Sequence, residues 1–471
     1  MTKRLFVSKL ALATVLLTTP AFAAGQHLVT SNADSGAGSL RAALTAASAG
    51  SGPQTIAITA SDAIQLAHGL VYEGTEPLTI VGTGQSIVLS ADETILTVAH
   101  GADLTMSGLS LSGPGGFDIN NRSARGTGAG KGIFVDLRDD QTGMVRLVLN
   151  DVSVRDVAGH GIHLSDCSLA DDCGGGSGGA GEGSEASISV VATGVTVERV
   201  GYGRFDADGL RVDERSGGDI FFVSTASSFN GVGADGVELD EGQAGDVVVH
   251  VTGGTFNENG GYCDPAILGA FMPTEPEGEF EQGAVMEDAV PAAITGSPDD
   301  GCFEREVDLY DDGSVEEYEF AIDTDDGFDV DEAGPGSIRA IVIGAAILNN
   351  LDEGLDYDEE DAGGIELTLI GTMASGNVDD AYKNSEEGAG DVKGIMIGVT
   401  ATDNGGVGAV FEEEDGGDVF VSVSGGATSG NDGGELGLEV VQDDDGMGKL
   451  TLMSATITDG IEAVGVETSE M

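Results

Sequence analysis

The sequence predicts an all-β solenoid, a chain wound into stacked coils of short strands. Three observations carry this expectation. A small residue just before a short alternating apolar segment recurs at a fixed interval. Gly327, Gly354, Ala381 and Gly408 stand 27 residues apart at each step, as do Gly209 and Gly236. Gly132, Gly161, Gly437 and Gly465 extend the series with steps of 28 or 29. Eleven residues after six of these anchors a second apolar strand begins, at Ile220, Val247, Ile338, Ile365, Val392 and Val419. Asn350, Asn377 and Asn404 occupy one further repeat position, as a stacked turn-Asn ladder requires. Self-similarity of this length overrides the several domains that chain length alone suggests.

Taken from the N-terminus, the first element is an export signal. Lys3, Arg4 and Lys9 precede the apolar run Leu10 to Leu17, and Ala21-Phe22-Ala23 gives the small-x-small cleavage pattern. Residues 1–23 are thus expected to be removed, leaving 24–471 as one secreted domain, extracellular or periplasmic. No later run reaches about 18 consecutive apolar residues, so no membrane span is expected in the mature chain. Weaker coils run from Ile56 to Leu111. In a typical later coil, Gly354-Leu-Asp-Tyr-Asp-Glu, Leu355 and Tyr357 point one way and Asp356 and Asp358 the other. That period of two marks a half-buried strand.

These residues resemble a right-handed parallel β-helix, the solenoid of the pectate-lyase-like families, from about Gly25 to the C-terminus. Ser35-Gly-Ala-Gly-Ser-Leu-Arg-Ala-Ala-Leu is similar to the opening of many secreted bacterial β-helices, where an Ala-rich helix, here expected at about Ser39 to Ala49, caps the first coil. A cap has a plain purpose, because an open solenoid end exposes core and unpaired strand edges. The LxxLxLxxN frame of leucine-rich repeats and the glycine-rich nonapeptide of calcium-binding rolls are both missing.

Two insertions break the register, at about 166–186 and 257–320. Cys167 and Cys173 lie in the first, Cys263 and Cys302 in the second. Four cysteines allow three pairings. Export favours oxidation, and each pair sits within its own insertion, so Cys167–Cys173 and Cys263–Cys302 are expected to staple these loops. Asp308 to Glu319 resembles an EF-hand loop with Tyr310 at a ligand position, but a β-hairpin turning at Asp312-Gly313 explains the same residues better.

Composition narrows the function. Against 82 acids stand 19 bases, a formal charge of −63, and 77 residues are glycine. Such a chain has no basic surface for nucleic acid or anionic lipid. Hydrophobic residues at 40 % are enough to build a core, which excludes a disordered polyelectrolyte.

Acids follow the first strand of each coil. The candidate metal ligands are Asp213, Glu214, Asp240, Glu241, Asp331, Glu332, Asp358, Glu359, Glu412 and Glu413. Acids also precede that strand, at Asp208, Asp235, Asp326, Glu353 and Asp380. Stacked about 4.8 Å apart, like charges repel by about 1 kcal/mol in water and about 3–4 kcal/mol at an effective dielectric near 20. Calcium bridging the carboxylates would offset this; screening by salt in a salt-adapted protein is the alternative.

Two residues after successive anchors stand His163, Arg211, Glu238 and Asp329, on the strand over which the pectate-lyase-like families bind polysaccharide. The resemblance implies base, charge-neutralising and acid roles there. Gly159-His160-Gly161 is similar to a polygalacturonase motif whose companions are missing, and no Trp is present to stack sugars. The sequence therefore favours a calcium-stabilised binding or surface-structural module, adhesin-like, with polysaccharide or cell-surface partners. A polysaccharide lyase or glycoside hydrolase is the alternative.

Overall fold

A computed structural model describes residues 25–119, 129–166, 183–261, 277–286, 304–310, 312–321, 324–414, 416–443 and 446–471. The signal segment and all four cysteines, and with them the expected pairings, lie outside the described residues. No helix among the described residues is long and apolar enough to cross a membrane.

The chain folds as a parallel β-helix. Twelve strands form one sheet in unbroken chain order, from Leu70–Tyr72 to Gly460–Val464. We call it the front sheet. A second, 23-stranded assembly supplies the remaining walls. One coil shows the pattern: Val237–Glu241 lies in the front sheet, Asp246–Thr252 and Thr255–Asn257 in the other walls. Each strand pairs in parallel with its equivalent in the next coil, Ile338 with Ile365 and Ile365 with Val392.

Alternation drives this winding. Leu210 and Val212 point inward while Arg211 and Asp213 point out, and the walls enclose one continuous apolar core. Phe229, Phe256, Phe328 and Tyr357 form an aromatic column, with ring centroids 5.7, 5.5 and 5.9 Å apart in turn. The column crosses the second insertion without a break. The front sheet does the same, since Glu238 pairs directly with Asp329. Within that insertion Glu304–Leu309 and Val315–Ala321 run antiparallel, with Gly313 at φ 78° in the turn. The hairpin expected there is present, and Glu277–Glu279 adds a third strand.

The N-terminal helix spans Leu40–Ser48, with the Ser39 hydroxyl accepting the Ala42 N–H. Leu40, Ala43, Leu44 and Ala47 are its buried face, packed on the first coil. Arg41 pins it there by donating to the Gly69 and His68 carbonyls, 2.6 Å each.

Two ladders keep the coils in register. Asn350 donates its side-chain amide to Asn377 (2.9 Å), Asn377 to Asn404 (3.0 Å), and Asn404 to Asn431 (2.8 Å). Asp459 ends the series by accepting from Asn431 at 3.0 Å. These amides are buried, so each satisfies a group that would otherwise lack a partner. The second ladder is glycine: Gly245, Gly336, Gly363, Gly390, Gly417 and Gly446. A Cβ on any of them would overlap the carbonyl oxygen of the equivalent glycine one coil earlier.

Asn377→Ala orphans buried amide groups and is expected to cost about 1–3 kcal/mol. Gly363→Ala forces two backbones apart and is expected to cost at least about 1–3 kcal/mol. Urea midpoints at constant m-value test both. A neutral result at Gly363 would show that the turns are not in backbone contact.

Candidate functional site

Three side-chain ladders run along the front sheet. The first reads Phe134, His163, Arg211, Glu238, Asp329, Asp356. The second reads Asp136, Ser165, Asp213, Asp240, Asp331, Asp358, Ser385, Glu412. Both face outward. The third, Glu214, Glu241, Glu332, Glu359, Glu386, Glu413 and finally Gln442, lies at the strand ends. Its six glutamates have no exposed surface at all.

His163, Arg211, Glu238 and Asp329 are therefore register neighbours on consecutive coils. The first three belong to a buried ionic network, each with 7 % of its surface exposed. His163 donates from Nε2 to Asp213 (2.5 Å), and its Nδ1 accepts from the Lys131 ammonium. Arg211 reaches Asp213 at 2.6 Å, Asp206 at 3.0 Å, Glu238 at 2.5 Å and Asp240 at 3.3 Å. Arg215 also binds Asp240. The Asp208 N–H donates to His160 at 3.0 Å.

Burial pushes titrations apart here. It lowers His163 to about 4, with the Lys131 charge adding to the effect. It lowers Lys131 to about 7, helped by Arg204. Burial also works against the Asp213 carboxylate, but Arg211 and His163 overcome it and hold that group well below the usual range. Glu238 is raised by burial, opposed by Arg211 and aided by Asp208. Asp208 rises to about 6 from burial as well. An amine titrating near neutrality beside a neutral imidazole is a pair able to move protons.

Toward the C-terminus the same sheet carries acids with little counter-charge. Lys383 reaches Asp356 at 2.8 Å and Asp358 at 3.2 Å. Burial, reinforced by neighbouring acids, pushes Asp329 and Asp331 well above the carboxylate range. One oxygen each of Asp356 and Asp358 is buried without a hydrogen-bond partner. Three acid triads bring their oxygens within 4.8 Å of one another: Glu238/Asp329/Asp331, Asp326/Asp329/Asp356 and Asp326/Asp352/Glu353. Asp206/Asp208/Glu238 forms a fourth, in the Arg211 network.

Among the sequence-selected metal ligands, Asp331 stands in such a triad. Asp213 and Asp240 are engaged by Arg211 and Arg215, and Asp358 by Lys383. Glu412 pairs in register with Ser385. Glu214, Glu241, Glu332, Glu359 and Glu413 turn inward instead of joining the aspartates outside. Their ladder fits beneath the glycine ladder, where a Cβ on Gly336 or Gly363 would strike the Glu332 or Glu359 carboxyl. Burial and contact between carboxyls raise Glu214 to about 10 and Glu332 to about 11. Gln442 ends the series by donating to Glu413.

The acids that precede each strand have another task. Asp208 accepts the Asp235 N–H (3.2 Å), Asp235 that of Asp326 (2.5 Å), and Asp326 that of Glu353 (2.7 Å). Lys131 carries no sequence signal, standing merely before the Gly132 anchor.

No protein-family model and no curated protein matches this chain. Solved structures with a similar course of the backbone include the enzymatically active domain of tailspike protein 2 from bacteriophage CBA120, 10 % identical, with a TM-score of 0.34. It aligns over 88 % of this chain and 48 % of its own, so this chain spans about half its length. The GH136 lacto-N-biosidase of Eubacterium ramulus is 12 % identical, covering 92 % of this chain and 68 % of its own, with a TM-score of 0.44. The A-module of the Azotobacter vinelandii mannuronan C-5 epimerase AlgE6 is 11 % identical, covering 94 % and 98 %, with a TM-score of 0.35.

The raised carboxyls fix a pH dependence. Asp240 and Glu241 are both raised to about 7, chiefly by burial. The folded state thus holds protons that the unfolded chain releases above about pH 4. Their contribution is full below that value and is lost as pH climbs through about 7. Without added calcium, melting temperature should fall between pH 5 and 8, each such proton removing about 1.4 kcal/mol per pH unit in its window. Glu332→Gln should shallow the fall at alkaline pH. A pH-independent melting temperature would contradict buried, protonated carboxyls.

Proposed function

We propose that this chain is an exported, calcium-stabilised parallel β-helix that binds polysaccharide or cell-surface components across its front sheet. The observation that carries this reading is the C-terminal half of that sheet. Its carboxylates stack in register, with buried oxygens of Asp356 and Asp358 that no donor reaches. Salt in the surrounding solvent screens exposed charges well and buried ones poorly. A bound divalent ion with hard oxygen preference suits such a surface better, and calcium accepts irregular oxygen geometry more readily than magnesium does. An anionic polysaccharide would be repelled by so acidic a face unless cations bridged it. Right-handed winding, coils of about 27 residues, removal of residues 1–23 and the Cys167–Cys173 and Cys263–Cys302 staples belong to the same reading.

A second reading is a polysaccharide lyase or hydrolase. It is favoured by one observation, the approach of Lys131, titrating near 7, to neutral His163. Lys131 or His163 would take a proton, Arg211 would neutralise substrate charge, and Glu238 would donate.

Submillimolar calcium at low ionic strength should raise the melting temperature by several degrees, and a chelator should reverse it. A hundredfold excess over the dissociation constant corresponds to about 2.7 kcal/mol for one site. If molar sodium chloride restores full stability and calcium adds nothing, the acids are a salt adaptation. The enzyme reading predicts turnover on a panel of neutral and acidic polysaccharides, abolished by His163→Gln. Arg211→Ala serves a different purpose, because it strips a buried guanidinium from its carboxylates. It should cost about 3–5 kcal/mol whichever reading holds.

A further inference from the structure

The four acid triads differ in what lies among them. In Asp206/Asp208/Glu238 the space holds a cation already, because Arg211 Nη1 lies 3.0, 3.5 and 2.5 Å from the three carboxylates. The chain itself thus shows that triads of this geometry take up positive charge. The three triads further along share their members. Asp329 belongs to both Glu238/Asp329/Asp331 and Asp326/Asp329/Asp356, and Asp326 to the latter and to Asp326/Asp352/Glu353.

A second observation points the same way. Asp356 is 9 % exposed; Lys383 occupies one of its oxygens, and the other is buried with no hydrogen-bond partner. A buried carboxylate oxygen without a donor is destabilising. Asp356 shares its triad with Asp326 and Asp329, and a cation bound among them would bring positive charge to this under-partnered carboxylate.

We propose that these three triads are a row of calcium sites linked by shared carboxylates, the ions taking the place that the Arg211 guanidinium takes in the first triad. The proposal rests on the calcium-stabilised reading above and names the ligands within it. Oxygens within 4.8 Å of one another can all lie within about 2.8 Å of an ion between them, so a slight closing-up brings them to the 2.3–2.6 Å that calcium requires. Sharing follows from charge economy: a carboxylate bridging two ions neutralises part of each, so fewer acids are needed per ion. Magnesium would fit less well, since it demands octahedral geometry near 2.1 Å and keeps its water.

Equilibrium dialysis of the full mature chain against calcium chloride at low ionic strength counts the ions directly. Asp326→Asn removes a carboxylate charge from two triads and should lower the count by two ions per chain. Asp331→Asn touches one triad and should lower it by one. Asp352→Asn, also in one triad and away from the strand pairing, should lower it by one and stands in if Asp326→Asn does not fold. Glu366→Gln, exposed on the other assembly, should change nothing. If the wild type binds calcium and Asp352→Asn and Asp331→Asn bind as much, the ions sit elsewhere and the assignment is overturned while the broader reading stands. If the wild type binds none, both fall.

Discussion

Stacking in register sets the terms for everything else in this fold. Each coil places its residues about 4.8 Å from their equivalents, so a residue type repeated along the chain becomes a column. For leucine, phenylalanine or asparagine that is favourable. For aspartate and glutamate it concentrates like charge, and net stabilities of about 5–15 kcal/mol leave little room for uncompensated repulsion. The front sheet carries two outward acid-rich ladders and one buried glutamate ladder, so its chemistry is governed by what neutralises them.

Three devices divide that task along the sheet. Near the N-terminus the chain supplies its own cations, with Arg211 and Arg215 threaded among Asp206, Asp213, Glu238 and Asp240. At the strand ends protons do it, because the inward glutamates lie under a glycine roof, and burial with carboxyl contact holds Glu214 and Glu332 protonated. Toward the C-terminus Lys383 reaches two aspartates, and the acid triads between the Arg211 network and Lys383 are where the proposed external ion would act. The Lys131–His163 pair stands at the end where the chain's own bases gather. Proton transfer, if the sheet performs any, belongs there.

Much of this was legible in the sequence. The interval of 27 between anchors located the coils, and recurrence of Asn350, Asn377 and Asn404 located the amide ladder, which the structure extends to Asn431 and Asp459. The Leu40–Ser48 helix was readable from its Ala-rich stretch and its likeness to the opening of secreted bacterial β-helices, and the hairpin in the second insertion from its Asp312-Gly313 turn. The direction of Glu214 and its equivalents was not. Each follows an outward polar residue at a strand end, an aspartate in the first four coils, where alternation gives way to the turn. The missing clue was the glycine four residues later, Glu332 with Gly336 and Glu359 with Gly363, which makes room for the carboxyl. Lys131 was equally hidden. Its role depends on contact with a His one coil away, and spacing reports coils more readily than the reach of a flexible side chain. The pre-strand acids were seen as charge, whereas Asp208, Asp235 and Asp326 also accept backbone N–H groups of the next coil.

The central claim is that an external cation holds the C-terminal coils together while the N-terminal coils hold themselves. Hydrogen exchange followed by peptide mass, with and without a calcium chelator at low ionic strength, tests it most directly. Removal of calcium should strip protection first from the coils beyond Asp325, including Phe328–Gly334 and Leu355–Asp361, and leave Ile162–Ser165 and Leu210–Glu214 protected. Uniform loss along the whole solenoid, or no loss at all, would contradict the account.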